Sequence, residues 1–449
     1  MRHTTKWSVG LAAVAALALT GCSGNAATTA PAATTAPTTA TAATTAPTAA
    51  PAPVTLTMAA WSLSSTPEFK TITDAFTKAN PNITITLKEY KAGNDYDTQM
   101  IADLAAGVAP DLYVIKNLNN LFTYQDGKQL MDVSDVAAGY DSKTSGLPLY
   151  QVGGKTWAIP YRQDSWYLYY DKDMFDKAGV AIPDGKWTWD DYAAAAAKLS
   201  KGLGGGDVYG AYLHRWQSTV QSFATAQTPG ASILSGDVTY MKPFYDRTVA
   251  MQNTGAQVKF ATSSTNSLTY QSQFGKQKAA MLIMGSWYVA SYLASADKGD
   301  AIKFNWGVAP VPQRDSSTFD KPVTFGDPTG IGINPAIGSD KVAAAKKFLA
   351  FIGGQDAALA LSGIGIVPAY TSDAVTAAFS ALKGVPTDTL SKFTFGTHDT
   401  KPENQVSANN PKIQAILNDM NTSIMSGSST VDAAIAKAQA RIKAEVLKN

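Results

Sequence analysis

The stretch IPYRQDSWYLYYDKDMF, residues 159–175, sets Arg162, Gln163 and Asp164 against Tyr161, Trp166, Tyr167, Tyr169 and Tyr170. A core strand has no need of Arg162 and Asp164, and a surface loop has no need of so many rings. The combination points to a wet edge of the core or to a pocket for something partly polar and partly apolar. Alternation along a strand here puts Trp166, Leu168 and Tyr170 on one face and Ser165, Tyr167 and Tyr169 on the other.

Upstream of this stretch the chain alternates. VTLTMAAW (54–61) reads as a strand ending at Trp61, and TPEFKTITDAFTKANP (66–81) as a helix with Thr66 as N-cap, Pro67 at its first position and Pro81 beyond its end. ITITLKEY (83–90) is a strand, YDTQMIADLAAG a helix stopped at Gly107, and PDLYVI (110–115) a short buried strand. Strand and helix in turn predict a parallel-type sheet, with ligands at the carboxyl ends of strands. Trp61–Ser62 and Lys116–Asn117 occupy those ends, and Asn117 can both donate to and accept from hydroxyls.

Downstream, WTWDDYAAAAAKLSKG (187–202) reads as a helix capped by Thr188 and Asp191. Strands follow at DVYGAYLH, AAMLIMGSW and FNWGVAPVP, then an extended KPVTFGDPTGIGINP, a helix in DKVAAAKKFLAFIGG and helical sequence from Pro411 onward. His214, Arg215 and Trp216 follow one of these strands. Trp157, Trp187, Trp189 and Trp306 read as packing residues.

Composition narrows the classes. The chain has 449 residues, 45% hydrophobic and 16% charged, with a formal charge of +2. That balance, without any basic run, excludes a nucleic-acid binder. His214 and His398 stand apart and fit no metal spacing, and no cofactor motif is present. The glycine-rich GLGGGD (202–207) lacks the Lys-Ser/Thr of a phosphate loop.

The N-terminus reads as a processed segment. Arg2 and Lys6 precede an apolar VGLAAVAALAL (9–19), and LTGC (19–22) follows. Cys22 is the chain's one cysteine, and LTGC resembles a bacterial lipobox, which implies a lipid on Cys22 after cleavage. Removal of Arg2 and Lys6 takes the formal charge from +2 to 0. Residues 23–53 are nearly all Thr, Ala and Pro, a spacer that cannot bury a core. As a flexible coil of about thirty residues it would reach roughly 30 Å.

The order of motifs resembles the extracellular solute-binding proteins of ABC importers, in particular the large family 1 that carries sugars. QMIADLAAGVAPDLYVI (99–115), GGKTWAIPYRQDSWYLYYDKDMFDKAGV (153–180), WTWDDYAAAAAKLSKG (187–202), FGKQKAAMLIMGSWYV (274–289) and the span from DPTGIGINPA to AAAKKFLAFIGG (327–354) carry it. The resemblance implies an α/β fold of two lobes joined by three crossover strands, with the ligand in the cleft between them. The lobes expected are 54–163 with 325–352, and 164–324 with 353–449, behind a signal peptide (1–22) and a linker (23–53).

It further implies a monomer that is lipid-anchored outside the membrane, hands a sugar to permease subunits and performs no catalysis. Trp287 in MGSW matches a family position that stacks on a sugar. Asp164 matches one that binds hydroxyls, and an ion pair with Arg162 is its plainer reading. Tyr161, Arg162, Trp166, Trp216, Gly326 and Asp327 complete the candidate site. Arg162 leaves open an acidic or phosphorylated ligand, and a secreted carbohydrate-active enzyme is the competing class. ENQVSANNPK (403–412), where the family's cleft also takes residues, holds no aromatic.

Overall fold

In a computed structural model, residues 52–92, 94–140 and 143–448 are described. The signal peptide, Cys22 and nearly all of the linker lie outside them. The chain alternates as β1 (Val54–Trp61), α1 (Glu68–Ala79), β2 (Ile83–Tyr90), α2 (Asn94–Ala106), β3 (Leu112–Ile115) and β4 (Ile159–Gln163). It continues through β5 (Trp166–Asp171), α3 (Trp189–Gly202), β6 (Tyr209–Tyr212), β7 (Ala279–Gly285), α4 (Tyr288–Lys298) and β8 (Trp306–Pro310). Then come β9 (Val323–Phe325), β10 (Pro328–Ile333), α5 (Val342–Ile352), α6 (Gln355–Ser362), β11 (Asp399–Lys401) and α7 (Asn410–Met425).

The two larger sheets are ordered β2-β1-β3-β10-β4 and β8-β5-β7-β6, while β9 and β11 pair in parallel on their own. Strand β1 is parallel to β2 and β3, as helical connections require. The first sheet is mixed rather than all parallel, because β10 runs antiparallel to both β3 and β4. Between β8 and β10 lie only a 3₁₀ turn (Ser316–Thr318) and β9, with no α-helix, so the crossover rule does not constrain the direction of β10.

Each of the two larger sheets has its own core. Leu56, Phe69, Tyr113, Ile331 and Phe348 belong to the first, and Leu168, Tyr212, Ile283, Val308 and Leu417 to the second. Every residue of β5 and β7 is buried. Both faces of these strands are covered, so their runs are continuously apolar rather than alternating. Tyr169 packs against Phe274, Tyr288 and Trp306, and Trp166 against Phe223 and Phe325. The aromatics of the 159–175 stretch are thus largely core.

Thr188 and Asp191 form the capping box of α3. Thr66 does not cap α1: the N-cap is Pro67 and no side chain serves it. The Ser62 carbonyl instead accepts from the N–H groups of Ser65 and Thr66 at 2.9 Å, a turn that carries the chain from β1 into the helix.

Segments cross between the sheets at Asp164–Ser165 and at Gly326–Asp327. A third segment lies along β4, where Gln163 N–H donates to the Val367 carbonyl at 3.2 Å and Ala369 N–H to Tyr161 at 3.0 Å. Leu361 and Ile366 still pack in the first core, whereas Phe379 and Val385 pack in the second.

The first two crossings touch. A Cβ built on Gly326 would lie 2.0 Å from the Asp164 carbonyl oxygen. The approach of another backbone segment is therefore sufficient reason for the glycine. Gly326→Ala should lower stability by about 1–3 kcal/mol or more through overpacking. A calorimetric melt checks this, and an unchanged midpoint would show that the crossings can separate freely.

Candidate functional site

The carboxyl ends of β1 and β3, the crossings and the segments after β6 and β7 surround a cavity of about 670 Å³. Sequence reasoning named Trp61, Ser62, Asn117, Arg162, Asp164, Trp166, Trp216, Trp287, Gly326 and Asp327, and all of them line it. Tyr161 does not: it is fully buried, with its hydroxyl donating to Glu68 Oε1 at 2.9 Å. Its ring packs in the first core.

Aromatic rings form one wall. Trp287 meets Trp166 edge-on at 5.5 Å and 87°, and Trp216 at 6.3 Å. Trp216 also contacts Tyr270, and His214 stands edge-on behind it at 4.4 Å. Burial pushes the His214 imidazole down to about 3, so it is neutral packing here. Trp216 is 38% exposed and Trp287 is half-buried, while Trp166 keeps 2% of its surface. Across the cavity Trp61 is held edge-on by Phe69 and Tyr96, each at 5.0 Å.

The floor is ionic. Arg162 Nε donates to Asp164 Oδ2 at 3.0 Å, Nη1 donates to Glu68 Oε1, and Nη2 donates to Thr329 Oγ1 at 3.0 Å. Ser286 Oγ donates to the other Asp164 oxygen at 2.9 Å. Burial pushes the carboxyls of Glu68 and Asp164 up, and Arg162 pulls both back. Burial opposes the guanidinium charge, but Asp164 and Glu68 outweigh it. The ion pair that was the plainer reading of Asp164 is present, and Arg162 is already held by two carboxylates.

Asp327 is likewise engaged. Its Oδ1 accepts from the N–H groups of Glu403 and Asn404, and its Oδ2 from Leu118 N–H and Asn404 Nδ2, at 2.8 to 3.2 Å. It pins the end of β3 to the segment before α7.

Sequence reasoning did not single out Glu68 or Tyr270, whereas Lys116 was placed at a strand end and Glu403 in the 403–412 stretch; all four line the cavity. Glu68 opens a helix, where an acidic residue is ordinary, so it carried no distinctive signal. Lys116 pairs with Asp97 at 2.6 Å. Arg215 enters no ion pair among the described residues. Amides from two directions meet at the far end: Asn410 Nδ2 donates to Asn119 Oδ1 at 2.9 Å and Gln414 Nε2 to Asn404 Oδ1 at 3.1 Å.

The cleft thus offers aromatic faces beside hydroxyl and amide groups. The sequence model of the bacterial extracellular solute-binding proteins matches residues 60–359. The chain belongs to this family. A binding protein of Brucella abortus is 26% identical over 268 residues, 58% of this chain and 63% of that protein. The solved sugar transporter of Rhizobium etli, in an open conformation, is 28% identical, with a TM-score of 0.71 over 87% of this chain and 99% of that one. An ABC substrate-binding protein of Listeria monocytogenes, solved with cycloalternan, is 22% identical with a TM-score of 0.73 over 87% of this chain and 98% of that one. The solute-binding protein thus has the family's two-lobed α/β fold, and its relatives are binding proteins rather than enzymes. Among the described residues no helix is long and apolar enough to cross a membrane.

Glu403 gives the cleft a pH dependence. Burial, then Asp327, pushes its carboxyl from the ordinary 4.5 up to about 8. A raised folded-state value means that its contribution to stability is full below 4.5 and is lost as pH rises toward about 8. Glu403→Gln cannot ionise. Its melting midpoint should gain on the wild type between about pH 5 and about pH 9. A gap that stays constant across that range would place the carboxyl in ordinary solvent.

Proposed function

We propose that this protein captures a sugar or oligosaccharide outside the membrane and delivers it to the permease of an ABC importer. The observation that carries the reading is the cleft wall of Trp216, Tyr270 and Trp287 opposite Trp61, with amides and hydroxyls at its rim. Sugar rings offer C–H faces to aromatics and hydroxyls to such a rim. A volume of about 670 Å³ leaves room for more than one ring. The likeness to a sugar transporter at 28% identity supports the same class.

In this reading Trp287 is the stacking platform, with Trp216 and Trp61 flanking. Ser62 and Asn117 bind hydroxyls, and Asp164 accepts one beside its bond from Ser286. Arg162, Asp327, Gly326, Trp166 and Tyr161 frame the site. Lipidation of Cys22 and the Thr/Ala/Pro tract tether a monomer to the outer face of the membrane, and the protein binds its ligand without converting it or needing a cofactor. Cys22→Ala should release the protein from the membrane fraction or leave an uncleaved precursor, and unchanged fractionation would count against the anchor.

A charged solute is the second reading. Arg162 no longer supports it, being held by Glu68 and Asp164, but Arg215 at the cleft would meet an anionic group. A thermal-shift panel of melibiose, raffinose, maltotriose and glucuronic acid separates the two. A neutral sugar should bind almost equally at about 0.05 and 0.5 M salt, whereas an anionic one should weaken steeply.

Trp287→Ala should weaken binding of the responding sugar by roughly thirtyfold, about 2 kcal/mol for a central aromatic anchor. Its ligand-free midpoint should fall less than that of the core change Trp189→Ala, which should cost about 3–5 kcal/mol. Normal affinity with a collapsed midpoint would make Trp287 a packing residue.

A further inference from the structure

We infer that Gly285 is a positioning residue that sets the depth of the cleft: its missing side chain is the seat on which the Trp287 ring lies. The inference rests on the reading of Trp287 as the stacking platform. A Cβ built on Gly285 would fall 2.0 Å from Trp287 Cζ3, 2.2 Å from Cη2 and 2.4 Å from Cε3, where real Cβ atoms essentially never come within 3.0 Å. The benzene half of the indole therefore occupies the space that any other residue would fill.

Backbone conformation offers no competing reason for a glycine. Gly285 is the last residue of β7, is absent from the positive-φ positions, and pairs in register with Trp166. Its carbonyl accepts from the Tyr169 hydroxyl at 3.0 Å, which holds the strand end in place. The requirement is thus one of space alone.

Trp287 has little freedom to answer an intruding methyl by moving its backbone. It is the N-cap of α4, at φ −58° and ψ −19°. Ser286 before it is tied twice: its N–H donates to the Ser165 carbonyl at 2.8 Å, and its Oγ donates to Asp164 Oδ1 at 2.9 Å. Trp166 stands edge-on at 5.5 Å and the Arg162 guanidinium lies 5.7 Å from the ring centroid. With those sides occupied, the ring must swing toward the cavity. A side chain at 285 then narrows the cleft and tilts the platform, so this position governs how large a ligand the cleft accepts.

The test combines a ligand-free readout with a binding readout. In protein labelled with 5-fluorotryptophan, the Trp287 resonance is assigned by its loss in Trp287→Phe. Gly285→Ala should shift that resonance and leave Trp157, in the other lobe, unmoved. With raffinose or maltotriose as the probe, Gly285→Ala should weaken binding by about tenfold or more. In a Trp287→Ala background the same change should add less than about twofold, because the clashing ring is gone. An unmoved Trp287 resonance, or an equal loss in both backgrounds, overturns the inference. If neither sugar binds the wild type, the functional reading loses support while the resonance still decides the role of Gly285. If Gly285→Ala does not fold, Gly285→Ala/Trp287→Ala must fold, and its failure to do so also overturns the inference.

Discussion

The buried charge of Arg162 is the constraint from which the rest of the cleft follows. A guanidinium taken out of water must be paired and hydrogen-bonded, or the fold cannot tolerate it. Its partners come from three places: Glu68 at the start of α1, Asp164 in the first crossing, and Thr329 in β10. Satisfying one side chain therefore fixes a helix, a crossing and a strand relative to one another. Asp164 passes the constraint to the second sheet through Ser286, and Ser286 fixes the residue that carries the Trp287 ring. The Trp287 ring is thus positioned through an ion cluster built on Arg162, Glu68 and Asp164.

Asp327 repeats the device with neutral donors. Its carboxylate is buried, and four N–H donors replace the water it gave up. Each crossing thus carries a carboxylate that gathers groups distant in sequence. The acids of this cleft are chiefly engaged in holding it together, so apart from Asp164 it is hydroxyls, amides and aromatic faces that are left to meet a ligand.

The sequence was most legible where the determinant is local. The β1–α1–β2–α2–β3 alternation, the Thr188–Asp191 box and the aromatic crossing at 159–175 all rest on neighbours within a few residues. It was less legible where the determinant is distant. Arg162 and Asp164 could be paired by eye, but Glu68 lies 94 residues away and looks like any acidic helix start. Asp327 and Gly326 were marked as cleft residues, and they do line it. Their reasons, a backbone contact with Asp164 and donors from 118, 403 and 404, exist only once the chain has crossed twice. Tyr161 was misplaced because its neighbours on both sides of the hinge do reach the cavity while its own ring is packed in the first core. Strand β10 escaped the parallel expectation because that rule applies to α-helical crossovers, and its own connection has no α-helix.

The two walls of the cleft differ in what binding would exchange. The amides near α7 already bond one another, Asn410 Nδ2 to Asn119 and Gln414 Nε2 to Asn404. A sugar hydroxyl entering there replaces one hydrogen bond by another, an exchange that contributes little net free energy. The rings of Trp216, Tyr270 and Trp287 have no such partner in solvent, and covering them removes apolar surface from water. Affinity should therefore come chiefly from the aromatic wall, and selectivity from the amide wall, where a ligand that leaves Asn410, Asn119 or Gln414 unpaired forfeits the bonds it displaced. The bond between Asn119 and Asn410 also joins the tip of the first lobe to α7 across the cleft.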